Sequence, residues 1–101
     1  MSATGGPTSV LIADGHPVFR ELVRRACEAT PPLEVSAEVG DADEALTWWE
    51  RRPPGQPDLV ALDLELPGAD GLDLARRLIA DAPGVAILAL AETVGDRLVL
   101  E

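Results

Sequence analysis

Apolar residues recur along the chain in two alternating rhythms. Residues 9–13, SVLIA, form a short unbroken apolar run of the kind that makes a strand buried on both faces, and the turn residues Asp14 and Gly15 follow at once. Pro17 then opens PVFRELVRRACEAT, where Val18, Phe19, Leu22, Val23, Ala26 and Cys27 return at three-to-four spacing. This predicts an amphipathic helix ended by Pro31-Pro32. LEVSAEV alternates apolar and polar positions, as a strand with one wetter face does, which suits the edge of a sheet. Asp41 and Asp43 supply capping signals for a helix through Ala45, Leu46, Trp48 and Trp49, stopped by Pro53-Pro54-Gly55, with both tryptophans read as packing residues. DLVALD predicts a third, buried strand. Beyond the Pro67-Gly68 turn, Leu72, Leu74, Ala75, Leu78 and Ile79 mark a third helix closed by Pro83-Gly84. VAILALA predicts a fourth buried strand, and ETVGDRLVLE reads as the first turns of a further helix.

Strand and helix thus alternate through four strands and at least three helices. Parallel strands need crossovers, and the crossovers here are helical, so the pattern predicts an open α/β sandwich with a parallel sheet and helices on both faces. Ligands of such sheets bind at the carboxyl ends of the strands. Asp14 follows the first strand and Asp63 ends the third, which places both carboxylates at that edge. A strand with a buried body can carry an ionised carboxylate only at its tip, where water, a cation or backbone N–H groups solvate it. By residue type alone, Asp63 serves either as a functional tip residue or as a cap of the following turn.

Composition narrows the classes of function. A chain of 101 residues suffices for one core. One domain is expected over residues 9–101, with the small, aperiodic residues 1–8 as a disordered leader. No long apolar run interrupts the 47% hydrophobic content, so neither a membrane span nor a signal peptide is predicted, and a cytoplasmic location follows. Cys27 is the single cysteine and reads as core packing. Eight basic against eighteen acidic residues give a net charge of −10, so this segment repels nucleic acid and anionic membranes, and any DNA must be touched by another domain. There is no Gly-rich phosphate loop, no His/Cys metal cluster, and no Ser or Cys at a strand-to-helix turn; the sequence is not read as an enzyme.

VLIADGHPVFRELVRRACEA, VSAEVGDADEAL, PDLVALDLELPGADGLDLARRL and VAILALAE together resemble the receiver domain of bacterial response regulators, of the kind fused to a LuxR-type helix-turn-helix domain. The resemblance runs from about Val10 to Glu92. Its most specific piece is Asp63 with Leu-Pro-Gly and Asp-Gly after it, supported by the Asp-x-His-Pro turn at Asp14. It implies a doubly wound, flavodoxin-like parallel sheet in which a sensor histidine kinase passes a phosphoryl group to Asp63. It also implies Mg²⁺, a hard cation suited to oxygen ligands, held by acidic residues after the first strand, by Asp63 and by the backbone carbonyl at Glu65. His16 matches the family's turn, with a structural or kinase-docking role.

Three departures concern that same site. Gly15 stands where the family carries a second acidic residue, the direct metal ligand. Ala91 stands where a Thr or Ser hydroxyl would bond the phosphoryl oxygen. The family's Lys at the end of a fifth strand has no counterpart, because the chain reaches Glu101 before a fifth strand and helix. These departures predict an atypical receiver, with Asp63 a vestigial or weak phosphoacceptor and Mg²⁺ weakly held by Asp14, Asp63 and Glu65. Such a module would act by dimerisation, by a partner protein, or by a small molecule in the vacated pocket. The alternative left open is a conventional receiver phosphorylated on Asp63. The fourth strand would also present an open apolar edge, which predicts a dimer or segment exchange.

Overall fold

The computed structural model describes residues 6–93 and 96–100. Its elements are β1 (Thr8–Ala13), α1 (Pro17–Glu28), β2 (Leu33–Val39), α2 (Ala42–Arg51), β3 (Leu59–Asp63), α3 (Gly71–Asp81), β4 (Ala86–Thr93) and β5 (Asp96–Leu100). The sheet order is β2-β1-β3-β4-β5. The first four strands are parallel, as the alternation of strand and helix requires, and β2 lies at the edge, as its alternating pattern predicts. Thr8 already belongs to β1, one residue inside the stretch expected as a leader; residues 1–5 of that stretch lie outside the described residues.

Side-chain alternation along the central strands divides the core in two. Leu11, Ala13, Val60 and Leu62 face α2 and α3, where they pack with Ala45, Trp49, Leu74 and Leu78. Val10 and Ile12 face the other way, toward Cys27 of α1. Trp49 is buried as expected; its indole N–H donates to Asp81 at 3.2 Å and the Arg52 guanidinium lies 4.0 Å from its ring centroid. The stripe predicted for α1 is only partly covered: Cys27 is buried, whereas Val18, Phe19 and Leu22 are exposed. Among the described residues α1 is the sole helix on its face of the sheet, so its N-terminal half has no second helix to pack against.

Each later helix starts where the sequence signals it. The Asp41 carboxylate accepts from the Glu44 N–H at 2.8 Å, and the Glu44 side chain accepts from the Gly40 N–H at 2.7 Å, which satisfies two donors at the start of α2. Asp41→Ala is expected to lower stability by about 1 kcal/mol, seen as a lower urea midpoint with an unchanged slope. Asp70 caps α3 through the N–H groups of Leu72 and Asp73. Gly68, at φ +95°, makes the turn that the Pro-Gly pair predicts.

The C-terminal reading is corrected. ETVGDRLVLE does not begin a helix: residues 96–100 form a strand that runs antiparallel on β4, pairing Ala89 with Leu100 through Thr93 with Asp96. A run this short, with Gly95 near its start, is a poor isolated helix, while strand pairing satisfies the backbone groups along the edge of β4. The edge expected to lie open is therefore occupied by the chain's own β5 over Ala89–Thr93, and β5 becomes the outer strand on that side. Nor is β4 the fully buried strand its composition suggests: of Ala86–Ala91 only Ala89 is buried.

Candidate functional site

The carboxyl ends of β1 and β3 meet at one point, because these strands are direct neighbours in register. Asp14 leaves β1 with its N–H donated to Val39 of β2, and Asp63 is the last residue of β3. Both are buried, Asp14 to 1% and Asp63 to 5% exposure. Each carboxylate is anchored through a single oxygen. Asp14 Oδ1 accepts from the His16 N–H at 2.8 Å, and Asp63 Oδ1 accepts from the Glu65 N–H at 2.8 Å. Asp14 Oδ2 and Asp63 Oδ2 have no hydrogen-bond partner, an expensive condition for buried carboxylate oxygens.

His16 completes the cluster. Its Nδ1 stands 3.3 Å from Asp14 Oδ1 and 3.6 Å from Asp63 Oδ2. One ligand atom from each of Asp14, His16 and Asp63 lies within 4.8 Å of the others. The Arg20 guanidinium donates to the Asp14 carbonyl at 2.6 Å, fixing the backbone from which this carboxylate hangs. Burial pushes the Asp14 pKa up, and repulsion from Asp63 adds to it, against the lowering effect of the His16 N–H bond.

The sequence-derived site is thus assembled in part. Asp14 and Asp63 come together. Glu65, expected to offer its backbone carbonyl, stands beside the pair, its backbone N–H donating to Asp63 Oδ1. Ala91 lines the cavity beside Asp14, His16, Phe19, Asp63 and Leu90. At Gly15, a Cβ would lie 2.7 Å from Pro67 Cδ and 3.2 Å from the Gly40 carbonyl oxygen, so the space left by the absent side chain is filled by the proline ring. The cavity holds about 10 Å³, room for one water or one ion. That is small beside the roughly 300–1,000 Å³ of pockets that take drug-sized organic ligands. His16 as a third donor was not anticipated; its place two residues beyond Asp14, directly after a strand, was the available signal.

Two buried carboxylates with orphaned oxygens at one small cavity call for a cation. Mg²⁺ requires oxygen donors in near-octahedral array. Here the third side-chain donor is an imidazole nitrogen, and Pro67 closes the place of a carboxylate on residue 15. Asp14 and Asp63 fit a divalent cation, while Pro67 fills the space from which a carboxylate on residue 15 would join them.

Comparison with known proteins agrees with this architecture. The family model described as the response regulator receiver domain matches residues 10–100. The chain is 40% identical over 85 residues to protein-glutamate methylesterase/protein-glutamine glutaminase 2 of Anaeromyxobacter dehalogenans, covering 82% of this chain and 24% of that protein. It is 38% identical to the nitrate/nitrite response regulator protein NarP of Escherichia coli, covering 89% and 40%. With the DNA-binding transcriptional activator DevR/DosR of Mycobacterium tuberculosis it shares 33% identity, covering 91% and 41%. The chain therefore spans less than half the length of these curated relatives. Among solved structures, a LuxR-family two-component response regulator from Aurantimonas sp. SI85-9A1 superposes with a TM-score of 0.74 at 32% identity, covering 87% of this chain and 61% of that one. The signal receiver domain of the putative response regulator NarL from Mycobacterium tuberculosis gives a TM-score of 0.74 at 29% identity, covering 85% and 67%. With β1 and β3 delivering Asp14 and Asp63 to one edge of a sheet of this topology, the chain belongs to the response regulator receiver domain family.

Proposed function

We propose that residues 9–101 form the signal-input module of a LuxR-type transcriptional regulator, and that this module works without normal Mg²⁺-dependent phosphorylation of Asp63. The pocket carries this reading. A receiver must admit a phosphoryl group beside Asp63, neutralise its charge and hold its oxygens. The cavity here holds about 10 Å³, Ala91 presents a methyl group to it, and the Pro67 ring stands where residue 15 would carry a carboxylate. Asp14 and Asp63 instead repel each other, and an incoming anion meets both.

We infer a regulatory rather than an enzymatic role for this segment, in line with its similarity to the transcription-regulator relatives. DNA binding falls to an output domain, because a net charge of −10 opposes contact with nucleic acid. Homodimerisation and docking of a sensor histidine kinase both need an apolar surface, which α1 offers through exposed Val18, Phe19 and Leu22, with Phe19 lining the pocket. A cytoplasmic location goes with this role, and among the described residues no helix is long and apolar enough to cross a membrane.

The second reading, a conventional receiver, is favoured by one observation: Asp63 Oδ2 is unbonded in the cavity, as a nucleophile should be. Incubation of the full-length protein with acetyl phosphate and Mg²⁺, followed by a phosphate-affinity gel beside Asp63→Asn, separates the two. The expected result is no retarded band, or one forming about 100-fold more slowly than in a receiver with an acidic residue at position 15. A rapidly formed band that Asp63→Asn abolishes would establish the conventional switch.

A further inference from the structure

We propose that the groove between the end of β2 and α2 docks a basic peptide segment of a partner protein, and that Glu38 and Arg20 carry this contact to the Asp14 carbonyl. None of the groove's lining residues lines the cavity of Asp14 and Asp63, and its occupation does not require phosphorylation of Asp63.

Helical geometry makes the groove. Asp43, Glu44, Trp48 and Arg51 share one side of α2, while Ala45 and Trp49 are turned into the core. With Glu38 and Val39 of β2 they line an open depression of about 630 Å³. The two adjacent tryptophans differ in kind. Trp49 is buried and its indole N–H is bonded to Asp81, whereas Trp48 is only partly covered and lines the groove. A half-covered tryptophan supplies a large rigid apolar area and an N–H donor, the combination that serves as an anchor in protein interfaces.

Charge sets the sign of the partner. Glu38, Asp43 and Glu44 stand at the β2 end of the groove, and Arg51 closes the far end of α2. Glu44 accepts from the Gly40 N–H and Glu38 pairs with two arginines, but the exposed Asp43 carboxylate faces no cation among the described residues. On a chain of net charge −10, this end attracts cations and repels acidic partners. An open groove along about two helical turns encloses a small cation poorly. A peptide segment can instead lay a basic side chain on the carboxylates and an apolar one on Trp48 at once.

The groove is wired to the Asp14 backbone. Glu38 Oε1 lies 3.5 Å from Arg20 Nε and its Oε2 lies 3.4 Å from Arg24 Nε, and Arg20 also donates to the Asp14 carbonyl at 2.6 Å. A cation entering the groove competes with Arg20 for Glu38 and so loosens the guanidinium that holds Asp14 in place.

The test is a titration of the full chain with a short peptide of alternating arginine and leucine, followed by two-dimensional NMR, with a glutamate-leucine peptide and spermine alongside. The arginine peptide should shift the Glu38 and Asp43 amides and the Trp48 indole saturably, and the glutamate peptide should shift none of them. Asp43→Lys should weaken binding about tenfold, and Trp48→Ala about tenfold or more. Glu50→Lys, the same charge reversal at an exposed position of α2 outside the groove, should change it less than about twofold. Both charge reversals alter exposed side chains, so the comparison stands even where Trp48→Ala unfolds the chain. Equal losses from Asp43→Lys and Glu50→Lys would mean attraction by net charge alone and overturn the proposal. Spermine bound in the groove as tightly as the peptide would overturn the peptide assignment, and a dimer that Asp43→Lys disrupts, seen by light scattering, would put a second copy of the chain there instead. Peptide binding should also move the Asp14 amide signal in wild type and leave it in place in Arg20→Ala; a shift that persists without Arg20 overturns the coupling.

Discussion

Replacing Gly71 by alanine is expected to remove about 3 kcal/mol or more of stability, the largest single effect predicted for this chain. Gly71 is the first residue of α3, and a Cβ there would press on the Leu64 carbonyl oxygen while lying 2.6 Å from Leu64 Cα and 2.7 Å from its carbonyl carbon. These are backbone atoms of the segment that leaves β3, so no side-chain rotation relieves the clash. Either α3 shifts outward and uncovers Leu74 and Leu78, both buried, or Leu64 moves and drags Asp63 and the Glu65 N–H with it. Thermal unfolding should show a fall of more than 10 °C, at about 4–8 °C per kcal/mol for a domain of this size. A loss below about 1 kcal/mol would mean that α3 rides over β3 with more freedom than this packing allows.

Asp14→Asn is expected to act in the opposite direction, raising stability at neutral pH by about 1–3 kcal/mol. The amide keeps the shape and can still accept from the His16 N–H, while the buried charge and its repulsion with Asp63 disappear. The pH dependence follows from the raised pKa of Asp14, caused first by burial and then by Asp63. Between the unfolded value of 3.8 and the higher folded value, the folded chain holds more protons than the unfolded one, so stability falls as pH rises through that range. The penalty is complete above the folded pKa and absent below 3.8. The midpoint difference between variant and wild type should therefore be widest at pH 7–8 and close as the medium is acidified, which a series of melting curves measures. A variant no more stable than wild type at neutral pH would show that the two carboxylates are already compensated. The same substitution should also lose divalent-ion affinity, so that stability and binding change in opposite senses.

Much of this site is written in local pattern. SVLIA and DLVALD are short apolar runs closed by turn residues, and such runs make buried strands wherever they lie, so Asp14 and Asp63 had to stand at strand ends. Helices between the strands force parallel pairing, which brings those ends to one edge. Gly15 and Ala91 as departures are equally a matter of residue identity. Capping at Asp41 and Asp70 acts within four residues and needs no partner from elsewhere in the chain.

The remaining features depend on what distant segments do. Strand or helix for residues 96–100 was settled by the edge of β4, a partner that periodicity within those residues cannot register. The stripe on α1 has helical spacing, but spacing records which side is apolar and not whether anything covers it; Val18 and Leu22 are exposed because no second helix shares that face among the described residues. Gly15 suggested a vacated pocket, and it took the fold to bring Pro67, fifty-two positions away in number, into that space. Two carboxylates at one edge were determined by sequence. Their common orphaned oxygens, the approach of His16 and a cavity the size of one ion were decided only by tertiary packing, because angstrom-scale distances between groups on separate loops are set by the strands that carry them and by the side chains that fill what is left.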